Sequence, residues 1–159
     1  MSRAHRLANH IERTVTGPMW HGPALHDVLE GVTSGQARAR PIAGAHSIWE
    51  IVLHVTAWAD IARQRIHGES LDDPTPEQDW PLPGLDPAWA EAVEHLKASH
   101  RQLAADVRLL DDAALEAKVK GLSYPVGILL DGVVEHGTYH GGQIALLKKE
   151  GGTGAAPAR

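Results

Sequence analysis

Four segments of this chain place their apolar residues at steps of three and four, and no alternating polar–apolar run competes with them. That period marks one face of a helix, because about 3.6 residues complete a turn. Residues 3 to 15 carry Leu7, Ile11 and Val15, with Ala4 and Ala8 on the same side, and Gly17-Pro18 ends the run. From Ala45 to His67 the stripe is Ile48, Ile51, Val52, Val55, Ala59, Ala62 and Ile66, stopped by Gly68. A third helix is expected from Pro87, where Trp89, Val93, Leu96, His100, Leu103, Val107 and Leu110 form a heptad-like seam. The fourth starts at Ser123 or at Tyr124-Pro125, runs to about Lys149, and carries Leu129, Val133, His136, His140, Ile144 and Leu147. These stripes predict an all-α protein, a four-helix bundle of the up-and-down type.

The connections follow from proline, glycine and acidic residues. An extra short helix is expected through Leu25, Val28, Leu29 and Val32, residues 34 to 45 read as a connection, and Asp111-Asp112 closes the third helix or caps a short turn. Residues 68 to 87 hold Pro74, Pro76, Pro81, Pro83 and Pro87 among Asp72, Asp73, Glu77 and Asp79, which predicts one long Pro-rich crossover loop. Trp80, in the middle of that loop, is expected to pack back on the body. Residues 1 to 150 read as a single domain and 151 to 159 as a flexible tail.

Composition narrows the function classes. Hydrophobic residues are 43% and charged residues 22% of the chain, as in ordinary globular proteins. The net charge of -5, with 15 scattered Lys and Arg, argues against nucleic acid as a partner. No run is long and apolar enough for a membrane span, and Met1 to Arg13 lacks the apolar core of a secretory signal, so a cytoplasmic protein is expected. There is no cysteine, so any metal must be held by nitrogen and oxygen.

His136 and His140 lie four residues apart on the apolar stripe of the fourth helix, offset by roughly 40° around its axis. Two imidazoles in an apolar interior are costly unless their nitrogens find partners, and a divalent metal ion is one. His54, at the margin of the second stripe beside Ile51, Val55 and Trp58, can supply a third. Three imidazoles without a fourth protein ligand leave room for water or substrate, as catalytic sites do. Zinc or nickel leads among the ions that nitrogen ligands accept, with iron and manganese as further options.

Other residues have competing readings. His21, in the loop Trp20-His21-Gly22-Pro23, can act as an acid or base at a pocket mouth or simply bond a carbonyl. Tyr139 can offer its hydroxyl to the pocket or cover the helix. Glu50, one turn before His54, can orient an imidazole or serve as a helix-pairing carboxylate. His46 reads as a residue near a helix start. His100 reads as a hydrogen-bonded core residue, although it is the rival to the three-ligand set. His5, His10, His26, His67 and His95 read as surface residues, and the tryptophans mostly as core or pocket wall.

At Trp20 to Pro23, at Ala45-His46-Ser47-Ile48-Trp49-Glu50 leading to His54 and Trp58, at Asp79-Trp80-Pro81 and at His136 through Ile144, the sequence resembles the DinB-like (DinB/YfiT) superfamily of metal-binding four-helix bundles. The resemblance runs from about residue 5 to residue 149. It implies that His54, His136 and His140 are the metal ligands. It further implies an enzyme that uses the metal to activate a low-molecular-weight thiol, as an S-transferase does, or water, as a hydrolase does. A non-catalytic metal- or small-ligand-binding stress protein is the third reading. A small-molecule substrate is expected, and apolar positions left exposed on the first helix are a candidate surface for a homodimer.

Overall fold

The structure is a computed structural model that describes residues 1–69, 73–86 and 88–151. The expectations placed on Asp72, on Pro87 as a helix start and on the tail from 152 to 159 lie outside the described residues. The four long helices are α1 (Arg3–Thr16), α4 (Ile48–Ile66), α6 (Ala88–Val107) and α8 (Val126–Gly151). Between them stand α2 (Leu25–Leu29), α3 (Ser34–Arg38), α5 (Pro76–Asp79) and α7 (Asp112–Glu116).

One extra short helix was expected and four are found among the described residues. The reason is local capping. The Gln36 amide donates to Thr33 Oγ1 and the Thr33 amide to Gln36 Oε1, so a single turn closes within the supposed 34–45 connection. Thr75 and Gln78 repeat the device around Pro76 in the Pro-rich loop, and the Ala114 amide donates to Asp111 Oδ1 at the start of α7. At α4, the Ser47 amide donates to Glu50 Oε2 at 2.8 Å and the Glu50 amide to Ser47 Oγ at 3.2 Å. That box starts the helix at Ile48 rather than Ala45 and fixes its rotation. Gly68, at a φ of 81°, ends the helix by turning the chain left-handed.

Each long helix packs against two of the others. α1 and α4 both contact α6 and α8, so they face each other across the bundle. The core comes in two clusters, and their order along each helix gives its direction. α4 passes from Trp49, Val52 and Val55 in one cluster to Ala59 and Ala62 in the other; α6 passes the same way, from Leu96 to Leu103. α1 and α8 run in reverse, from Leu7 and Ile11 to Val15 and from Leu130 and Val133 to Ile144. The helices therefore run up, down, down, up rather than in strict alternation. The consecutive parallel pair α4 and α6 needs a connection that returns the length of the bundle, and the described residues 73–86, with α5, belong to it.

Where the two apolar clusters meet, every long helix contributes polar atoms. Thr14 of α1, His54 of α4, Ser99 and His100 of α6 and His140 of α8 are all buried there. Two surface expectations are corrected. The apolar face of α1 is taken up by the core, with Ala4, Leu7, Ala8, Ile11 and Val15 buried, so it offers nothing to a homodimer. Trp20 is fully exposed, not core or pocket wall, because its loop turns outward between Met19 and Gly22. His5, His10, His26, His67 and His95 are exposed, as expected.

Candidate metal centre

α4 and α8 bring His54, His136 and His140 together inside this polar layer. One ring nitrogen from each lies within 4.8 Å of the others. His54 and His140 are each 6% exposed, and the three ring centroids are 4.4 to 4.8 Å apart. Four residues separate the two histidines of α8, so one face of one helix presents both, and the facing turn of α4 presents the third.

The outer nitrogens of His54 and His140 set their tautomers. His54 Nδ1 donates to the Asp79 carbonyl at 2.7 Å, an atom that can only accept. Its Nε2 is therefore a bare lone pair when the ring is neutral. His140 Nδ1 donates to Gln143 Oε1 at 2.6 Å, and the Gln143 amide is oriented by donating to Tyr139 Oη at 3.1 Å. His136 Nε2 stands 2.8 Å from His54 Nε2. With the His54 lone pair bare, that gap is filled either by the N–H of a neutral His136 ring or by a cation that displaces it. The donor set fits a nitrogen-seeking metal ion, with the outer nitrogens of His54 and His140 already held by oxygen acceptors, as in metal sites generally.

Electrostatics agree. Burial, with the charge that His140 and His54 would carry, pushes His136 down to about 3. Burial likewise pushes His140 down to about 4, against the opposing pull of Gln143. His54 is lowered by burial despite the Asp79 hydrogen bond. All three rings are neutral at pH 7, which is the form that binds metal.

The sequence profile of the DinB superfamily matches residues 20–144. The chain belongs to the DinB superfamily. No curated protein and no solved structure matched it.

In this DinB bundle the crossover packs back through Trp80, as expected, and adds a role for Asp79 that the sequence did not show. Besides its carbonyl, Asp79 sets Oδ1 3.2 Å from His54 Nδ1 and accepts a 2.7 Å bond from Trp58 Nε1. Trp80, next in the chain, stacks on His54 at 3.8 Å and on His46 at 3.6 Å, nearly parallel to both. The visible signal was an acidic residue beside a tryptophan in a loop otherwise rich in proline. Glu50 does not orient His54. Its carboxylate is spent on the cap of α4 and on Arg40, and those contacts hold it below the usual carboxylate range although burial acts the other way. His46 precedes α4 and stays outside the cluster. His100 is outside it too: its Nδ1 donates to the Leu96 carbonyl at 2.9 Å, as a core histidine would.

Two cavities flank the cluster. One, of about 420 Å³, has His54 and His136 at its wall with Trp58, Tyr124 and Val133. The other, of about 410 Å³, has His140 with His46, Trp80, Tyr139 and Gln143. Tyr139 is 65% exposed, its ring edge-on to His140 at 5.1 Å. His21 lines neither cavity. It lies in a third one, of about 220 Å³, with Thr14, Gly137 and Gly141. No helix among the described residues is long and apolar enough to cross a membrane.

Proposed function

We propose that His54, His136 and His140 hold one divalent transition-metal ion, zinc or nickel before iron or manganese, and that the protein is a metal-dependent transferase acting on small molecules. An ion with an open position would lower the pKa of a thiol or water bound to it and so supply a nucleophile at neutral pH. The protein's own side chains do the rest. Asp79 and Gln143 hold the outer nitrogens of His54 and His140, so both rings keep their Nε2 lone pairs turned inward. Trp80 covers one face of His54 and limits water at the cluster. Tyr139 carries the one hydroxyl at the rim of the second cavity, and we assign it to orient a substrate there.

The observation that carries the transferase reading is the pair of cavities on either side of the imidazole cluster, one walled by His54 and His136 and the other by His140. A group transfer needs places for two molecules, a low-molecular-weight thiol and an electrophile, whereas hydrolysis needs one place and water. The chain has no cysteine, so the thiol is a cosubstrate. The test is turnover of an electrophile by metal-loaded protein across a panel of small thiols, with the absorption of the cobalt form followed as each thiol is added. Thiol-dependent turnover, with a thiol-induced spectral change that His140→Ala abolishes, is expected. Metal-dependent ester cleavage without thiol would replace this reading by a hydrolase. An inert protein with a spectrally silent metal would leave a binding module.

A further inference from the structure

One turn before His136, α8 carries Gly132, and the packing of the bundle gives no reason for it. A Cβ built there would meet no atom within 4 Å. The glycines that follow differ: a Cβ at Gly137 would strike Thr14, and one at Gly141 would touch Leu25 at 3.5 Å. Glycine inside a helix is less stable than alanine, so an empty position with room for a side chain lowers stability with no gain in packing.

The room belongs to the first cavity. Ile128, Leu129, Gly132, Val133 and His136 all line it. At about 100° per residue these positions span roughly 140° of the helix, and Gly132 falls within that arc, roughly 40° from Ile128 and from His136. The space over Gly132 is therefore cavity space, one turn from an imidazole of the cluster. Trp58, from α4, and Tyr124 add aromatic wall, and Ile128 is 54% exposed where the cavity meets solvent. The volume of about 420 Å³ stands at the lower end of the range for ligand cavities.

The polar groups of this wall are engaged with protein partners. The Asp79 carboxylate accepts from Trp58 Nε1 and lies against His54 Nδ1, and Tyr124 Oη accepts from Arg65 Nη1 at 3.3 Å. Among the described residues no Lys or Arg lines the cavity. An anion would find the Asp79 carboxylate and no cation, and a cation would find that carboxylate already holding two N–H groups. Either charge would lose its water without a free partner, whereas an uncharged apolar molecule loses nothing.

We propose that this cavity receives the apolar, uncharged body of the electrophile in the proposed transfer, and that Gly132 is the residue that sets the width of the subsite. The role of the bound molecule rests on the transferase reading; its binding does not. The second cavity, with Tyr139 and Gln143, is left to the thiol.

The test is calorimetric titration of chelator-stripped protein with 2-naphthol and with its charged counterparts 2-naphthoate and 2-naphthylmethylamine. Stripping removes coordination by a probe as a cause of binding. 2-Naphthol is expected to bind at least about tenfold more tightly than either charged probe. Gly132→Leu, which fills the space, should weaken it by about tenfold or more, and Gly132→Ala by roughly two- to fivefold. Gly142→Ala, whose Cβ also meets open space but which does not line this cavity, should leave it unchanged. Cobalt-loaded Gly132→Leu should keep the thiol-induced spectral change. Absence of 2-naphthol binding, equal binding of the three probes, or a Gly132→Leu protein of parental affinity would each overturn the subsite. So would loss of the thiol response in a Gly132→Leu protein that still binds 2-naphthol. If circular dichroism shows Gly132→Leu unfolded, Gly132→Ala decides. The failures are distinguishable: a protein that binds 2-naphthol as expected but is inert to thiols loses the transferase reading and keeps its apolar subsite, while thiol-dependent turnover without 2-naphthol binding removes the subsite alone.

Discussion

Asp79 holds two side chains that converge on the cluster, His54 through its carbonyl and carboxylate and Trp58 through its carboxylate. Removing the carboxylate with Asp79→Ala leaves the ligands present but His54 less firmly oriented. Metal affinity should fall about 10- to 100-fold, the usual cost of losing an outer partner of a ligand, as read by competition with a chromophoric chelator. His100 allows a pH prediction. Burial holds it at about 4 against an ordinary value of 6.5, so as pH falls the unfolded chain takes the proton first. The parent should lose stability through that window, between 6.5 and about 4, at up to about 1.4 kcal/mol per pH unit from this residue. His100→Leu should remove that share of the slope. Urea unfolding of metal-free parent and variant, in steps from pH 7 to pH 4, measures the difference. At this scale the three histidines that converge were legible because a helical period and an i,i+4 pair are written in the sequence. Asp79 was not, since a loop residue's partners depend on where the crossover lands.

At the scale of elements, the approach of α1 to α8 is set by a glycine. A Cβ at Gly137 would come within 2.5 Å of Thr14 Cγ2, a short branched side chain that cannot swing away. Gly137→Ala therefore trades a helix-propensity gain of about 1 kcal/mol for overpacking of about 1–3 kcal/mol. A net loss of about 1 kcal/mol is expected from chemical denaturation. Adding Thr14→Ser keeps the hydroxyl bond to the His10 carbonyl while removing the methyl, and should restore stability to the parental level or above. By contrast, Gly142 has open space at its Cβ, and Gly142→Ala should stabilise by up to about 1 kcal/mol. The long helices were readable from their stripes to within a few residues. Of the short ones, α2 and the turn capped by Asp111 were read, whereas α3 and α5 hid inside segments too brief for a period to show, although the Thr33–Gln36 and Thr75–Gln78 spacings that cap them were on view.

For the whole molecule, the polar layer between two apolar clusters explains how a bundle can keep three imidazoles inside. Each cluster closes one end, and the layer is served from the side by the crossover that the parallel pair α4 and α6 requires. The all-α class and the bundle were legible from the sequence. The up, down, down, up order was not, because stripes say which face is buried and nothing about direction. A ligand that binds only the folded chain adds stability by mass action. The metal-loaded protein should accordingly melt at a higher temperature than the chelator-stripped one, and His54→Ala should show no such difference in differential scanning calorimetry.

The central claim is that one transition-metal ion belongs to these three histidines, and elemental analysis tests it most directly. Protein produced in metal-replete medium and purified without chelator should carry close to one equivalent of transition metal per chain, while His54→Ala, His136→Ala and His140→Ala, folded by circular dichroism, should retain only a small fraction. A metal-free parent, or variants that keep the parent's metal, would contradict the account.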